Sequence, residues 1–373
     1  MQTISHRRHA LLVLALAAAF VGTSAFAKDD DDSLREGKLF ISTNAVGGNA
    51  VQVYARNANG PASLLSTVAT TGTGTGAGLG SQGALTLSTS GRYLFVVNAG
   101  SNSVSTFKLD KSGLALVSTV ASGGTRPTSV TENDGVVYVL NAPANGIGNT
   151  VVGFRNEGGV LKPLADGVRT LADSSAPAQV SFDTDGDVLV VSQRAATQLV
   201  SYRVRKDGAL STSFAVAPSP GAVPFGFGIT KRNVVVVSEA GTSSASYYRI
   251  TEKHEPLLQL VSPAVSNGQG AACWVSVTPD GKFAFTANAA ASNISSYAID
   301  RRGNLTLLEA QAGFTSNNGA LDMAVSPDGN QLHVFASRAP QQIVSFTISA
   351  DGNLTKIGTQ GGVIPGSAGL VAN

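Results

Sequence analysis

Residues 275–308 read VSVTPDGKFAFTANAAASNISSYAIDRRGNLTLL. A short apolar run ends in an Asp-Gly turn, and a second run rich in aromatic residues follows. After a loop comes an alternating segment centred on Tyr297, then an Arg-Arg-Gly turn and a last apolar run. Strand-length runs punctuated by Asp, Gly and Lys predict four successive antiparallel strands. The phrase recurs along the chain. Tyr54, Phe107, Phe154, Tyr202, Tyr248, Tyr297 and Phe346 hold the same place in it, at spacings of 53, 47, 48, 46, 49 and 49 residues. A near-constant period of this length, built only from strands, predicts an all-β fold: a seven-bladed β-propeller of four-stranded antiparallel blades.

Within each repeat the innermost strand comes first. Six such strands end at turns: Ala84–Gly91, Thr128–Gly135, Gln179–Gly186, Phe225–Arg232, Trp274–Gly281 and Asp322–Gly329. The second strands (YLFVVN, VVYVLN, VLVVSQ, VVVVSE, FAFTAN, LHVFAS) are near-continuous apolar runs rich in β-branched residues, as expected of strands buried on both faces. The first repeat opens directly at its second strand, residues 37–42, and lacks an inner one. Residues 365–371 read like residues 81–87, so the C-terminal strand is expected to complete the first blade and close the ring. Closure removes two exposed sheet edges.

Arg7 and Arg8 precede an apolar run from Ala10 to Val21, and Ala25-Phe26-Ala27 supplies an A-x-A cleavage site. Residues 1–27 therefore read as a signal peptide, residues 28–36 as an acidic linker, and residues 37–373 as the propeller. The expected location is periplasmic or secreted, with no membrane span. Without Arg7 and Arg8 the chain keeps 24 Lys and Arg against 24 Asp and Glu, so no basic field exists to hold nucleic acid. Cys273 is the single cysteine, which excludes an intrachain disulfide. A monomer is expected.

In a propeller, the loops entering the inner strands and those leaving the second strands share one face. This arrangement gathers Glu239, Arg194 and Arg338 as candidate catalytic groups. Arg126, Asp322, Trp274, Gln193 and Asn288 join them as candidate ligand contacts. A guanidinium fork binds a carboxylate through two parallel hydrogen bonds, so the set suits a small anionic or polyhydroxylated ligand. Trp274 and Cys273, entering blade six, read as a channel plug. Gly78-Leu79-Gly80-Ser81-Gln82-Gly83 matches G-x-G-x-x-G formally, but it precedes a strand and so fails as a dinucleotide site. No H-E-x-x-H, C-x-x-C, G-x-S-x-G or EF-hand loop occurs, and no metal or cofactor is assigned. His6 and His9 fall in the leader, His254 in an outer hairpin, and His333 inside a second strand. A base working near neutral pH would then have to be Glu239 or Asp322, its pKa raised by burial, or a metal-held water.

The stretches VSVTPDGKFAFTANAAASNISSYAIDRRGNLTLL, AVSPDGNQLHVFASR and LTLSTSGRYLFVVNAGSNSVSTFKLD resemble the lactonase family of seven-bladed propellers. That family includes propeller-type 6-phosphogluconolactonases and fungal carboxymuconate cyclases. The resemblance covers residues 37 to 373. It implies a polar pit on one face where His, Arg and Glu act on a lactone or muconate. The family's P-R-H signature places its His seven residues before the turn glycine. Here those positions hold Ala84, Thr128, Gln179, Trp274 and Asp322, with Phe225 in blade five, so the histidine is missing. The family's Asn-Glu after a second strand is matched by Ser238-Glu239. Two functions stay open: a lactone hydrolase or related lyase using Glu239 and the arginines, and a non-catalytic propeller binding a small ligand, a surface polymer or a protein.

Overall fold

Alternation along the second strands explains how the sheets stack. In blade two, Leu94 and Val96 face one neighbouring sheet and pack with Phe40, Val51 and Val53 of blade one. Phe95 and Val97 face the other neighbour and pack with Val137, Val139 and Phe154 of blade three. Side chains one residue apart point to opposite sides of a strand, so a run apolar at every position can bury both faces. Each of the seven junctions between adjacent blades holds one such cluster, including that of Leu39 and Tyr54 with Phe335 and Ile343 between blades one and seven. At roughly 1.5–3 kcal/mol for each large apolar side chain taken from water, these junctions hold the ring together.

The computed structural model describes residues 1, 37–251, 257–316 and 319–373. The signal peptide and the acidic linker assigned to residues 1–27 and 28–36 fall outside these apart from Met1, as does His254. The described residues form seven four-stranded antiparallel sheets in a ring, a seven-bladed β-propeller. Among them no helix is long and apolar enough to cross a membrane.

The strand Ala368–Ala372 lies innermost in blade one, antiparallel to Lys38–Ser42. Lys38 N–H donates to the Asn373 side chain at 2.6 Å and Asn373 N–H donates back to Lys38 O at 3.1 Å. The ring closes by the C-terminal strand, as the sequence led us to expect.

The seven periodic aromatics are all buried in the third strands. In every blade but the fourth, the pairing between third and outer strands shifts register beside that aromatic. A bulge there re-aims the ring into the junction. Blade four has instead a short outer strand, Ala215–Pro218.

Candidate functional site

Two faces result from this winding. The loop face carries the connections between blades and those joining second to third strands. The turn face carries the Asp-Gly turns and the outer hairpins. Each inner strand runs from the loop face to the turn face.

The last residue of the second strand recurs as a polar clamp on the loop face. Asn98 donates to Ser103 at 3.2 Å and Ser105 at 2.8 Å. Asn288 does the same toward Asn293 at 2.7 Å and Ser295 at 2.8 Å. Gln193 accepts from Gln198 at 2.8 Å. Glu239 is the blade-five version: it accepts from Ser244 at 2.8 Å, Ser246 at 2.7 Å and Ser219 at 2.9 Å. It is fully buried, and a Cβ on Gly221 would fall 1.9 Å from its carboxylate. Among the described residues no arginine pairs with it. Three hydroxyl donors occupy the Glu239 oxygens, and the two amides are bonded within their own hairpins, so Glu239, Gln193 and Asn288 act in this structure as blade fasteners.

Arg338 is exposed, near Ser292 and the Ala289 carbonyl, both at 3.4 Å, beside blade six. Arg126 and Arg194 come together elsewhere. Arg126 donates to Leu79 O and Ala142 O, each at 3.1 Å. Arg194 donates to Ala176 O at 3.2 Å and lies over the Phe225 ring at 5.4 Å from its centre. Burial pulls both guanidinium pKa values down; for Arg194, Cys273 opposes this and Arg126 adds to it. The Cys273 thiol is itself pushed up to about 11 by burial.

Phe225 packs against Trp274 with ring centres 4.9 Å apart, and the Trp274 indole N–H donates to Ser81 O at 3.2 Å. Next to Ser81, Gln82 reaches from blade two across the axis. Its amide donates to Val275 O at 2.9 Å and Phe227 O at 3.3 Å, and it accepts from Val275 N–H at 3.0 Å. Gly226 leaves room for it, since a Cβ there would meet the Gln82 carbonyl oxygen at 2.1 Å. Gln179 adds a bond in each direction to Phe227, at 2.9 and 2.7 Å. Trp274 is thus part of a plug. Its main bar, Gln82, went unnoticed in the sequence, where the only signal is a long amide ahead of an inner strand.

Beyond the plug lies an axial cavity of about 290 Å³, lined by the later parts of inner strands and ending at Gln82, Gln179 and Asp322. Asp322 is buried, and this pushes its carboxyl up to about 7; the backbone N–H groups of Gly369 and Asp322 and the nearby polar edge of Trp274 oppose the rise. A carboxyl poised there, facing a cavity, has the properties of a general base. His333 does not compete for that role. It is fully buried against Ser345 at 2.9 Å, and burial pulls its pKa to about 3.

Strand pairing also corrects the count from the turn glycine. Leu140 and Ser192 face Ser129 and Gln179. Ala287 faces Trp274, and Phe227 faces Val237, which puts Gly226 opposite Ser238. The axial layer therefore holds Ser129 and Gly226 where counting gives Thr128 and Phe225, because turn lengths in blades three and five differ by one residue. Among the described residues no group of three or more His, Cys, Asp or Glu is gathered to hold a metal ion.

The sequence matches the family described as "Lactonase, 7-bladed beta-propeller" over residues 47–170 and 148–268. Among solved structures, a protein from Bacteroides fragilis described as a "putative 6-phosphogluconolactonase" is 19% identical. The alignment covers 91% of this chain and 98% of that one, with a TM-score of 0.71. The Pseudomonas aeruginosa periplasmic gluconolactonase PpgL is 17% identical over 90% of this chain and 98% of its own, also with a TM-score of 0.71. A functionally unknown protein from Desulfotomaculum acetoxidans is 12% identical over 90% and 98%, with a TM-score of 0.69. At these identities the likeness is one of fold. A search of curated proteins by sequence finds no match.

Proposed function

The chain belongs to the family of seven-bladed β-propeller lactonases, and from that premise we propose that it hydrolyses a small lactone in the axial cavity. Asp322 takes a proton from the water that attacks the ring carbonyl. The tetrahedral intermediate then collapses with cleavage of the ring C–O bond, and Asp322 returns the proton to the leaving alkoxide oxygen, giving a hydroxy acid and restoring the base. The observation that carries this reading is the placement of Asp322: a carboxyl raised to about 7 by burial, at the blind end of a cavity of about 290 Å³. Such a group is half ionised at neutral pH and is a stronger base than an exposed carboxylate. The gluconolactonase and 6-phosphogluconolactonase neighbours make sugar-acid lactones the first substrates to try. Export across a membrane is supported by the leader-like residues 1–27 and by the periplasmic neighbour.

Asp322→Asn should lower kcat for glucono-δ-lactone by about 100-fold or more while the protein stays folded. Wild-type kcat/KM should climb about tenfold per pH unit below pH 7 and level off above it, because the base must be ionised. Full activity in the variant would refute the assignment. One observation favours a second reading, a propeller that binds without catalysis: Glu239 is locked by three serines, and the Phe225–Trp274 pair covers the axis on the loop face. On that reading Arg126 and Arg194 hold an anionic ligand, and calorimetry would register binding with no turnover.

A further inference from the structure

The cavity at Asp322 differs in two ways from the pit expected on the loop face. Its far end is barred. Gln82 ties blade two to the inner strands of blades five and six by three hydrogen bonds, Gly226 is the slot that receives it, and Trp274 holds Ser81 beside it. Its lining runs instead through Thr86, Thr131, Ser181 and Val325, toward the ends of the inner strands on the turn face. The lining holds hydroxyls, amides and apolar carbons, one carboxyl, and neither lysine nor arginine. Arg126 and Arg194 lie beyond the plug.

We infer that the lactone taken by this site is uncharged and enters from the turn face; the inference rests on the lactonase reading above. An unphosphorylated lactone presents hydroxyls, which Thr86, Thr131 and Ser181 can match as donors or acceptors. A phosphate would bring one to two negative charges beside Asp322 with no cation to pair them, and an unpaired buried charge is costly. The volume, about 290 Å³, is at the small end for ligand pockets and suits a single ring.

The test compares kcat/KM for glucono-δ-lactone and its 6-phosphate on the unmodified protein. The neutral lactone should be preferred by at least about tenfold, the scale on which like-charge juxtaposition discriminates. Ser181→Phe, which fills the turn-face end, should lower kcat/KM for the neutral lactone by about tenfold or more, with a melting temperature close to wild type. Equal or better turnover of the phosphate, or undiminished turnover in a folded S181F protein, overturns the inference and leaves the lactonase reading intact. Failure to hydrolyse either substrate overturns both. The substrate comparison needs no variant, so a misfolded S181F protein does not rescue the idea; Thr86→Leu then serves as the second block.

Discussion

Asp322 and Glu239 are both carboxyl groups removed from water, yet their surroundings differ. Glu239 accepts three serine hydroxyls, which fix its carboxyl oxygens in place. Asp322 is dominated by burial, with its carboxyl near 7 against an ordinary value of 3.8. Between those values the unfolded chain sheds the proton while the folded one keeps it. Stability is thus undiminished below about pH 4 and falls as pH rises toward 7, by up to about 4 kcal/mol for a shift of this size. Asp322→Asn should therefore gain stability relative to wild type as pH rises from 4 to 7. Calorimetric melting at both pH values reads this directly, and a difference that does not change with pH would show that burial is not what perturbs the group.

At the scale of elements, the key fit is one side chain in one gap. A methyl group on Gly226 would lie 2.1 Å from the Gln82 oxygen and 3.0 Å from the Cys273 carbonyl. Gly226→Ala should cost about 1–3 kcal/mol in urea unfolding, the usual price of overpacking. Adding Gln82→Ala should recover part of it, so the double mutant will not be additive. Strictly additive losses would mean that the two do not touch. This pair also marks the limit of what the sequence disclosed. The second strands were readable to within a residue, since burial on both faces makes them near-continuous apolar runs. The Gln82 bar was not, because its partners Phe227 and Val275 are 145 and 193 residues away. The axial layer was half readable: Gln179, Trp274 and Asp322 were counted correctly, and the positions in blades three and five slipped with their turn lengths. Of the expected pit residues, Arg126, Arg194, Trp274 and Asp322 gather about the axis. Gln193, Glu239 and Asn288 are clamps whose serine and amide partners sit five to seven residues ahead, a pairing visible only once the hairpin is formed.

For the molecule as a whole, the blade sealed by two distant parts of the chain governs integrity. Ala368–Ala372 covers Lys38–Ser42 on one side and contributes Ala368 and Leu370 to the clusters around it. Removing residues 364–373 should unfold the ring or lower its melting temperature far beyond the ~2–4 °C that one kcal/mol produces in a large domain. An unchanged transition would mean that the closing strand contributes nothing.

The same seam sets an order of events during biosynthesis. Lys38–Ser42 leaves the ribosome hundreds of residues before its inner neighbour, so the earliest sheet waits with a bare edge while six others form. A half-made chain of this kind is open to pairing with strangers. Holding it unfolded by a chaperone until Ala368–Ala372 has been made would protect it.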